Sequence, residues 1–237
     1  MRLKKYSRDA PYSYTFGVFP TLELLRYQPK YVEQILLHSA SERNEGIDKI
    51  RALCGGSRIP ITHDNKLVER LSPKDNTYAL GVFKKYHPAL AARANHVVLV
   101  NPGDMGNLGT ALRTLLGFGI SNLALIRPAV DIFDPRVIRA SMGAVFQVNF
   151  AYYDSFNDYH AAFGLHAYPF MTDGAQSIQE ADFIEPFALI FGNESSGLTP
   201  GYHAVGTSVT IPHRPTIDSL NLSVAIGIAV YEATRKK

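Results

Sequence analysis

Three loops in the second half of the sequence combine glycines with polar side chains that could bind a ligand or assist a reaction. The first, residues 101–109, has the sequence NPGDMGNLG and leads into a predicted helix that carries Arg113. The second, residues 191–198, has the sequence FGNESSGL and places Glu194 directly after an apolar strand. The third, residues 211–221, ends with the polar sequence DSLN at the start of the last predicted helix. Because each loop follows a predicted strand, a parallel sheet would bring all three to one edge, where α/β proteins bind ligands.

Each loop by itself also has a structural interpretation. Glu194 could cap a helix, and Arg113 could be a surface arginine whose aliphatic stem is partly buried. The glycine spacing of residues 101–109 matches neither the dinucleotide fingerprint nor a phosphate-binding P-loop. The occurrence of three such loops after successive strands favours a shared ligand site over three unrelated turns.

Other kinds of catalytic site find little support in the sequence. The eight histidines have no carboxylate or cysteine partners at metal-ligand spacing, so no metal is expected. A single cysteine, Cys54, excludes an internal disulfide and a cysteine-rich metal site. Ser195 lies in GNESSG, which lacks the G-x-S-x-G pattern of many serine hydrolases.

The elements that must position the three loops alternate between strand and helix. This alternation predicts an α/β domain over residues 95–237, with a mostly parallel sheet covered on both faces. The last helix has apolar residues at helical spacing and small residues that permit close packing. The predicted strands are 96–100, 123–126, 147–150, 165–170, 187–191 and 205–211, and the predicted helices are 108–118, 135–141, 156–163 and 222–235.

A smaller α/β domain is predicted over residues 1–88, joined to the second by a linker rich in small residues. Its first fifteen residues interleave basic and aromatic side chains, a pattern compatible with binding single-stranded nucleic acid and equally with a frayed terminus. These side chains are Arg2, Lys4, Lys5, Arg8, Tyr6, Tyr12 and Tyr14. The predicted strands that follow are 32–37, 58–61 and 77–84, and the helices are 21–27, 42–53 and 65–71.

Charge is distributed unevenly between the two halves. Residues 1–94 contain 16 Lys and Arg against 9 Asp and Glu, whereas residues 95–237 contain 8 against 12. The basic half is expected to meet a polyanion. Apolar content of 46%, charged content of 19% and the absence of a long apolar run favour a folded cytoplasmic protein that does not span a membrane.

Taken together, the three loops resemble the motifs of the SpoU branch, also called the TrmH family, of the SPOUT RNA methyltransferases. The resemblance covers Val97 to the C-terminus, and residues 10–85 resemble more loosely the ribosomal-protein-L30e-like domain that many members carry in front. The matching residues are Asn107-Leu108-Gly109 with Arg113 and Gly119, then Gly192-Asn193-Glu194 with Gly197-Leu198, then Ile211-Pro212 with Ser219-Leu220-Asn221-Leu222-Ser223-Val224-Ala225.

This resemblance implies an α/β fold with a C-terminal SPOUT domain, tied in a deep trefoil knot, behind a small L30e-like RNA-binding domain. It implies S-adenosylmethionine as the cofactor, and a homodimer through the knotted region whose active site uses both subunits. The implied cofactor-binding residues are Thr172, Phe191, Gly192, Asn193, Glu194, Ile211, Pro212, Ser219, Leu220 and Asn221. The implied catalytic residues are Arg113, Asn107, Glu194, Ser219 and Asn221.

The implied reaction moves a methyl group from the cofactor to a ribose 2′-hydroxyl of RNA. Because arginine stays protonated in proteins, Arg113 is expected to clamp a phosphate and stabilise alkoxide charge, with Asn107 and Glu194 fixing its position. Ser219 and Asn221 are expected to orient the cofactor's carboxylate or the ribose. The basic front domain favours ribosomal RNA as the partner. A transfer-RNA 2′-O-methyltransferase, a base or protein methyltransferase, and a non-catalytic RNA-binding protein that kept the fold stay open as alternatives.

Overall fold

A computed structural model describes residues 3–41, 45–72 and 77–235. In chain order its strands and helices are β1 (Tyr12–Phe16), α1 (Val18–Tyr27), β2 (Val32–Leu37), α2 (Glu45–Ser57), β3 (Ile61–His63), α3 (Asn65–Leu71), β4 (Ala79–Lys84), β5 (His96–Val100), α4 (Met105–Gly117), β6 (Asn122–Ile126), α5 (Pro135–Ala140), β7 (Asn149–Tyr153), α6 (Phe156–Phe163), β8 (His166–Pro169), β9 (Gln176–Ser177), β10 (Phe187–Phe191), β11 (Val209–Thr210) and α7 (Leu222–Thr234).

The chain divides into two compact units, and the predicted α/β class is confirmed in both. The first unit comprises residues 1–86 and 131–147, and the second comprises residues 87–130 and 148–237. A mixed sheet of order β1-β4-β2-β3 forms the first unit, whereas the second contains a sheet of order β7-β6-β5-β10-β8 in which every neighbouring pair is parallel. The predicted parallel sheet of the second half is therefore present.

Residues 131–147 were expected within the second domain but pack on the first unit. Ser13 donates a hydrogen bond from Oγ to the carbonyl oxygen of Phe133 at 2.6 Å. The fully buried ring of Phe83 makes edge-on contacts with the rings of Phe133 and Phe146, each at 5.4 Å between centroids. Aromatic burial of this kind is strongly favourable, so the segment completes the core of the first unit.

The N-terminal segment forms a strand where the sequence predicted a basic, aromatic arm. Tyr12 and Tyr14 are buried, and their strand β1 pairs antiparallel with β4. The hydroxyl of Tyr14 donates to the carbonyl of Lys4, which ties the preceding residues down. These tyrosines are therefore core residues, unavailable for stacking on bases. Arg2, and the predicted helix start at 42–44, lie outside the described residues.

The last predicted strand, 205–211, is much shorter than expected. Only Val209–Thr210 are extended, and they pair with β9 in a separate two-stranded sheet. Residues Pro200–Ala204 form a 3-10 turn. Gly206 follows, and a Cβ there would overlap the carbonyl of Ala167, so a tight turn rather than a strand precedes β11.

Gly81 lies at a closely packed point in the first unit's sheet. Thr15 Oγ1 accepts a hydrogen bond from the Gly81 N–H at 2.9 Å and lies 2.7 Å from Thr21 Oγ1. Thr21 in turn donates to the carbonyl of Gly17, so Thr15 donates to Thr21. This buried chain of hydroxyls fills the space above Gly81.

Replacing Gly81 with alanine is expected to lower the free energy of unfolding by about 1–3 kcal/mol, because overpacking strains a filled core. The new Cβ would lie 2.6 Å from Thr15 Oγ1 and 3.0 Å from Leu24 Cδ2. Urea denaturation followed by circular dichroism measures the effect. Gly55→Ala is the matched control: it lies in α2 with no atom within 4 Å of the added carbon, so it is expected to be neutral or stabilising. Equal stability of the two variants would contradict this packing.

Candidate active site

Strands β5 and β10 are parallel neighbours, so the loops that follow them lie side by side at one edge of the sheet. Asn193 Nδ2 donates to the carbonyl oxygen of Asn101 at 2.8 Å across this edge. The same side chain shapes its own loop, because Asn193 Oδ1 accepts from the N–H of Ser195 at 2.9 Å and from its hydroxyl at 2.7 Å. The predicted convergence of these two loops is therefore present.

Glu194 joins the two loops a second time. Its carboxylate accepts hydrogen bonds from the backbone N–H groups of Gly103 and Asp104, both at 3.1 Å. Asp104 is the N-cap of α4, and its own carboxylate accepts from the N–H of Asn107 at 2.6 Å. Glu194 thus anchors the start of the helix that carries Arg113 and is not hydrogen-bonded to Arg113 itself.

The third loop reaches the same edge through β11. The N–H of Met171, which follows β8, donates to the carbonyl of Val209 at 2.9 Å, and Thr210 Oγ1 donates to the carbonyl of Thr172 at 3.1 Å. Phe170 stacks on Phe191, with ring centroids 4.8 Å apart and planes inclined by 13°. The adjacent parallel strands β8 and β10 are therefore followed or ended by two aromatic residues whose rings stack on each other.

The second and third loops, together with residues 170–173 after β8, line a cleft of about 320 Å³, whereas no residue of the first loop lines it. Its lining combines apolar residues such as Phe170 and Phe191 with polar residues such as Thr172 and Ser219. Of the residues predicted to bind a cofactor, those lining the cleft are Thr172, Phe191, Gly192, Asn193, Glu194, Ile211, Ser219 and Leu220. Pro212, Asn221, Asn107 and Arg113 are not among the lining residues.

Of the remaining predicted residues, Asn107 and Asn221 lie at the starts of two helices, Arg113 lies further along α4, and Pro212 lies in the third loop. Asn221 is the N-cap of α7, accepting at Oδ1 from the N–H of Ser223 at 2.9 Å, and its Nδ2 donates to Asn107 Oδ1 at 3.0 Å. The helices α4 and α7 pack against each other. Arg113 is exposed on α4 and has no hydrogen-bond or ion-pair partner among the described residues. The structure therefore groups Asn107 with Asn221 and leaves the Arg113 guanidinium available.

Several cleft residues were missed by the sequence reasoning. The residues concerned, which lie outside the three predicted loops and the family motifs, are Phe170, Met171, Asp173 and Thr210. The other lining residues that were not assigned to the cofactor lie within the predicted loops or motifs: Ser195, Ser196, Gly197, Leu198, His213, Asp218, Leu222 and Ala225. His213 Nδ1 donates to the carbonyl of Ile211 at 2.9 Å, and Asp173 Oδ2 lies 3.2 Å from His203 Nε2. Phe170 could have been identified as the residue directly after β8, at the carboxyl edge of the sheet. The polar residues carry no such signal, because only the folded loop brings them to the cleft.

Gly192 is required by the backbone of the second loop. A Cβ at this position would overlap the backbone of Gly197, where the chain turns back with a φ of +65°. Asn193 and Gly197 form a bridge across the turn. A side chain at Gly192 would therefore displace the residues that form the cleft wall.

Other reactive groups in the described residues have structural roles. Burial raises the pKa of the Cys54 thiol to about 11, so the thiol stays protonated and is a poor nucleophile at neutral pH. Burial lowers the pKa of His96, whose Nε2 donates to the Ala91 carbonyl at 2.8 Å while Nδ1 accepts from the Tyr159 hydroxyl at 2.9 Å.

No described group of three or more His, Cys, Asp or Glu could hold a metal ion, and no described helix is long and apolar enough to cross a membrane.

Comparison with known protein families places the second unit in a defined group. Residues 94–231 match the model of the SpoU rRNA Methylase family. An uncharacterised tRNA/rRNA methyltransferase of Synechocystis is 34% identical over 146 residues, which cover 60% of this chain and 53% of that protein. The 23S rRNA (adenosine(1067)-2′-O)-methyltransferase of Streptomyces azureus is 32% identical over 194 residues, covering 76% of this chain and 71% of the relative. The chain spans about half the length of the first two curated relatives that it matches.

Solved structures resemble nearly the whole chain. A protein of Porphyromonas gingivalis described as belonging to the TrmH family of RNA methyltransferases superposes with a TM-score of 0.79 at 27% identity, covering 96% of this chain and 91% of that one. The SpoU methyltransferase AviRb of Streptomyces viridochromogenes, solved with AdoMet, has a TM-score of 0.83 at 21% identity and covers 98% and 94% of the two chains. The second likeness shows the shared fold alone.

Replacing Glu194 with glutamine is expected to lower the free energy of unfolding by about 1–2 kcal/mol. The amide keeps the shape of the side chain but has a single acceptor oxygen without charge, so one of the two backbone N–H groups loses its bond. Chemical denaturation measures the loss. Glu180→Gln is the control, because Glu180 is exposed and its carboxylate has no hydrogen-bond partner among the described residues. An unchanged stability of Glu194→Gln would show that the carboxylate does not anchor this loop.

Proposed function

The chain belongs to the SpoU rRNA methylase family, and we propose that it transfers a methyl group from S-adenosylmethionine to a ribose 2′-hydroxyl of RNA. The observation that carries this proposal is the cleft at the carboxyl edge of β8 and β10, which residues of the second and third family motifs line. Relatives named as 23S rRNA 2′-O-methyltransferases support the same reaction for this chain.

The cleft fits the proposed cofactor in size and in the chemistry of its lining. Its volume of about 320 Å³ lies within the range of small-molecule sites, and the stacked rings of Phe170 and Phe191 provide an apolar floor for an adenine. Backbone groups of Gly192, Ile211 and Leu220 line the same space and can bond to the edge of the base. Thr172 and Ser219 supply polar groups for the ribose and the amino-acid end.

When bound, the cofactor supplies an electrophilic methyl group on a sulfonium sulfur, so the residues of the chain need only align the acceptor and manage its charge. A ribose hydroxyl is a weak nucleophile, and holding it in line with the methyl removes much of the entropic barrier. Proton removal or masking must accompany the attack. Asn107 and Asn221, bonded to each other at the starts of α4 and α7, keep the two helices in register beside the cleft.

Arg113 is the proposed electrostatic group. It is exposed, carries a permanent positive charge, and has no partner among the described residues that would neutralise it. A guanidinium can hold a phosphate next to the target ribose with two parallel hydrogen bonds and stabilise the developing alkoxide. Because Arg113 does not line the cleft of its own chain, we assign it to an active site completed in a dimer.

The proposed homodimer uses the outer face of α7. Val224, Ile228 and Tyr231 lie at helical spacing, and their exposed fractions are 51%, 38% and 55%. Phe118, at the end of α4, contacts Tyr231 edge-on at 5.9 Å. An apolar stripe of this length at the surface is typical of a protein interface. A knotted backbone, as the family resemblance implies, belongs to the same proposal.

Ribosomal RNA is the proposed substrate, and the cytoplasm the proposed location. The basic first half, with 16 Lys and Arg against 9 Asp and Glu in residues 1–94, suits a large polyanion. The 23S rRNA enzymes among the relatives support ribosomal over transfer RNA. Mapping 2′-O-methyl sites in cells with and without the gene would identify the nucleotide. A missing modification in transfer RNA alone would favour the alternative substrate.

Replacing Arg113 with alanine is expected to slow methyl transfer at least about a hundredfold, because a group that stabilises developing charge acts mainly in the transition state. Cofactor affinity is expected to stay within about threefold of the unmodified protein, since Arg113 does not line the cleft. Transfer of a radiolabelled methyl group to ribosomal RNA measures the first effect, and calorimetry with S-adenosylmethionine measures the second.

Arg127→Ala is the matched control, because Arg127 is a surface arginine of the same unit that pairs with Asp154 at 3.1 Å. It should retain full activity. Loss of both binding and transfer in Arg113→Ala would refute the assignment, and activity on an RNA whose target lacks the 2′-hydroxyl would refute ribose as the acceptor.

Replacing both Val224 and Ile228 with glutamate is expected to convert the dimer to a monomer, because burying two carboxylates without partners is costly. Light scattering coupled to size-exclusion chromatography measures the mass. Ile184→Glu, at a side chain that is 52% exposed and outside α7, is the control and should leave the mass unchanged. A double variant that remains dimeric would show that α7 is not the interface.

A further inference from the structure

We propose that one exposed face of α1, in the first unit, is a stacking surface for unpaired bases of RNA. This surface, the α1 face, consists of Phe19, Arg26, Tyr27 and the neighbouring Met142. The inference rests on the proposed function, because it describes how the first unit binds the same RNA substrate. It assigns base stacking to residues that none of the sequence motifs contain.

The exposed apolar side chains of the first unit are concentrated on this face. Among its described residues, the large hydrophobic side chains that are exposed are Phe19, Tyr27 and Met142, at 48%, 48% and 41%. Single exposed apolar residues are normal, but their collection on one face indicates a binding surface. The tyrosines of β1, the other candidates for stacking, are buried.

The spacing of Phe19 and Tyr27 along α1 determines whether their rings can bind one base or two. Phe19 and Arg26 are seven residues apart and lie on the same side of α1, with Tyr27 next to Arg26. The eight-residue separation of Phe19 and Tyr27 corresponds to about 12 Å along the helix axis. That distance is too large for the rings to hold one base between them. Each ring therefore takes a different base of an extended strand, as in proteins that bind single strands by stacking.

Met142 is held against the same face by its backbone. It has a φ of +50°, and Gly143 after it has a φ of +79°. A Cβ on Gly143 would lie 2.6 Å from Glu23 Cβ and 3.6 Å from Pro20 Cα, so this turn is seated directly on α1. A non-glycine residue in this conformation is uncommon and often marks a functional position. The exposed, flexible thioether of Met142 adds apolar area at this turn.

The charges around the α1 face favour an anionic partner. Glu23 lies between Phe19 and Arg26 but is buried, with its carboxylate bonded to Arg26 at 2.9 Å and to Gln147 at 3.2 Å. Lys30 follows in the next turn of the chain and Arg139 precedes the Met142 turn; both are exposed and have no ion-pair partner among the described residues. The Lys30 ammonium lies over the ring of Tyr31, 4.9 Å from its centroid. Exposed aromatic rings on a segment flanked by exposed cations are suited to nucleic acid, whereas an apolar protein partner would leave those cations buried.

The test is binding of a fluorescein-labelled oligouridylate to the full chain, measured by fluorescence anisotropy. Replacing Phe19 and Tyr27 together with alanine should weaken binding at least about tenfold, because each base loses its stacking partner. Phe19→Tyr with Tyr27→Phe should restore the affinity, since rings are retained. Ile184→Ala is the control for loss of an exposed apolar side chain elsewhere and should bind normally. Lys30→Gln with Arg139→Gln should reduce the salt dependence of binding.

Calorimetry with S-adenosylmethionine separates this inference from the proposed function, because every variant of the α1 face should bind the cofactor as the unmodified chain does. Full oligouridylate affinity in the double alanine variant, or no binding by the unmodified chain, would overturn the stacking surface while leaving the methyltransferase proposal intact. A change in oligomeric mass caused by the double variant would also overturn it, because the face would then be a protein interface. Loss of cofactor binding by the unmodified chain would overturn the proposed function instead.

Discussion

The candidate site depends on one carboxylate that ties together two loops with no local connection. Glu194 and Gly103 are 91 residues apart, and parallel strands offer no hairpin to hold such loops together. The backbone N–H groups ahead of α4 need acceptors in any case, because a helix start leaves its donors unsatisfied. Glu194 meets that need from the neighbouring strand end. The bond that completes the helix start therefore also sets the cleft wall.

Polar contacts orient this site, whereas apolar packing supplies most of its stability. A neutral hydrogen bond such as that between Asn221 and Asn107 contributes about 1 kcal/mol net. Burying a residue such as Ile226 or Val230 on α7 contributes about 1.5–3 kcal/mol each, and several are buried where α7 packs on α4 and β10. The asparagine pair then selects one alignment among those that packing alone would allow.

Patterns within short stretches of sequence predicted much of the fold. The elements that were missed depend on contacts between residues far apart in the chain. Apolar runs gave correct bounds for His96–Val100 and Phe187–Phe191, and α6 begins with a capping box of Ser155 and Asp158. Strand β1 was missed because its alternation of tyrosines and hydroxyls makes sense only beside β4, some 66 residues away. The same holds in the site: eight predicted residues line the cleft, but Asp173 and Thr210 enter it through loop packing that no local pattern indicates.

Because residues 131–147 belong to the first unit, neither unit is formed by one continuous segment of the chain. Cleavage of the chain at residue 90 would not release an intact front piece, because Phe83 would lose the rings of Phe133 and Phe146 that bury it. Fusing a gene for one unit to the start of a gene for the other would therefore not be enough to create this architecture. The sequence of the second unit would also have to contain the segment 131–147 that completes the first. Sequence changes in the first unit must consequently stay compatible with residues 131–147, which lie in sequence between the two segments of the second unit.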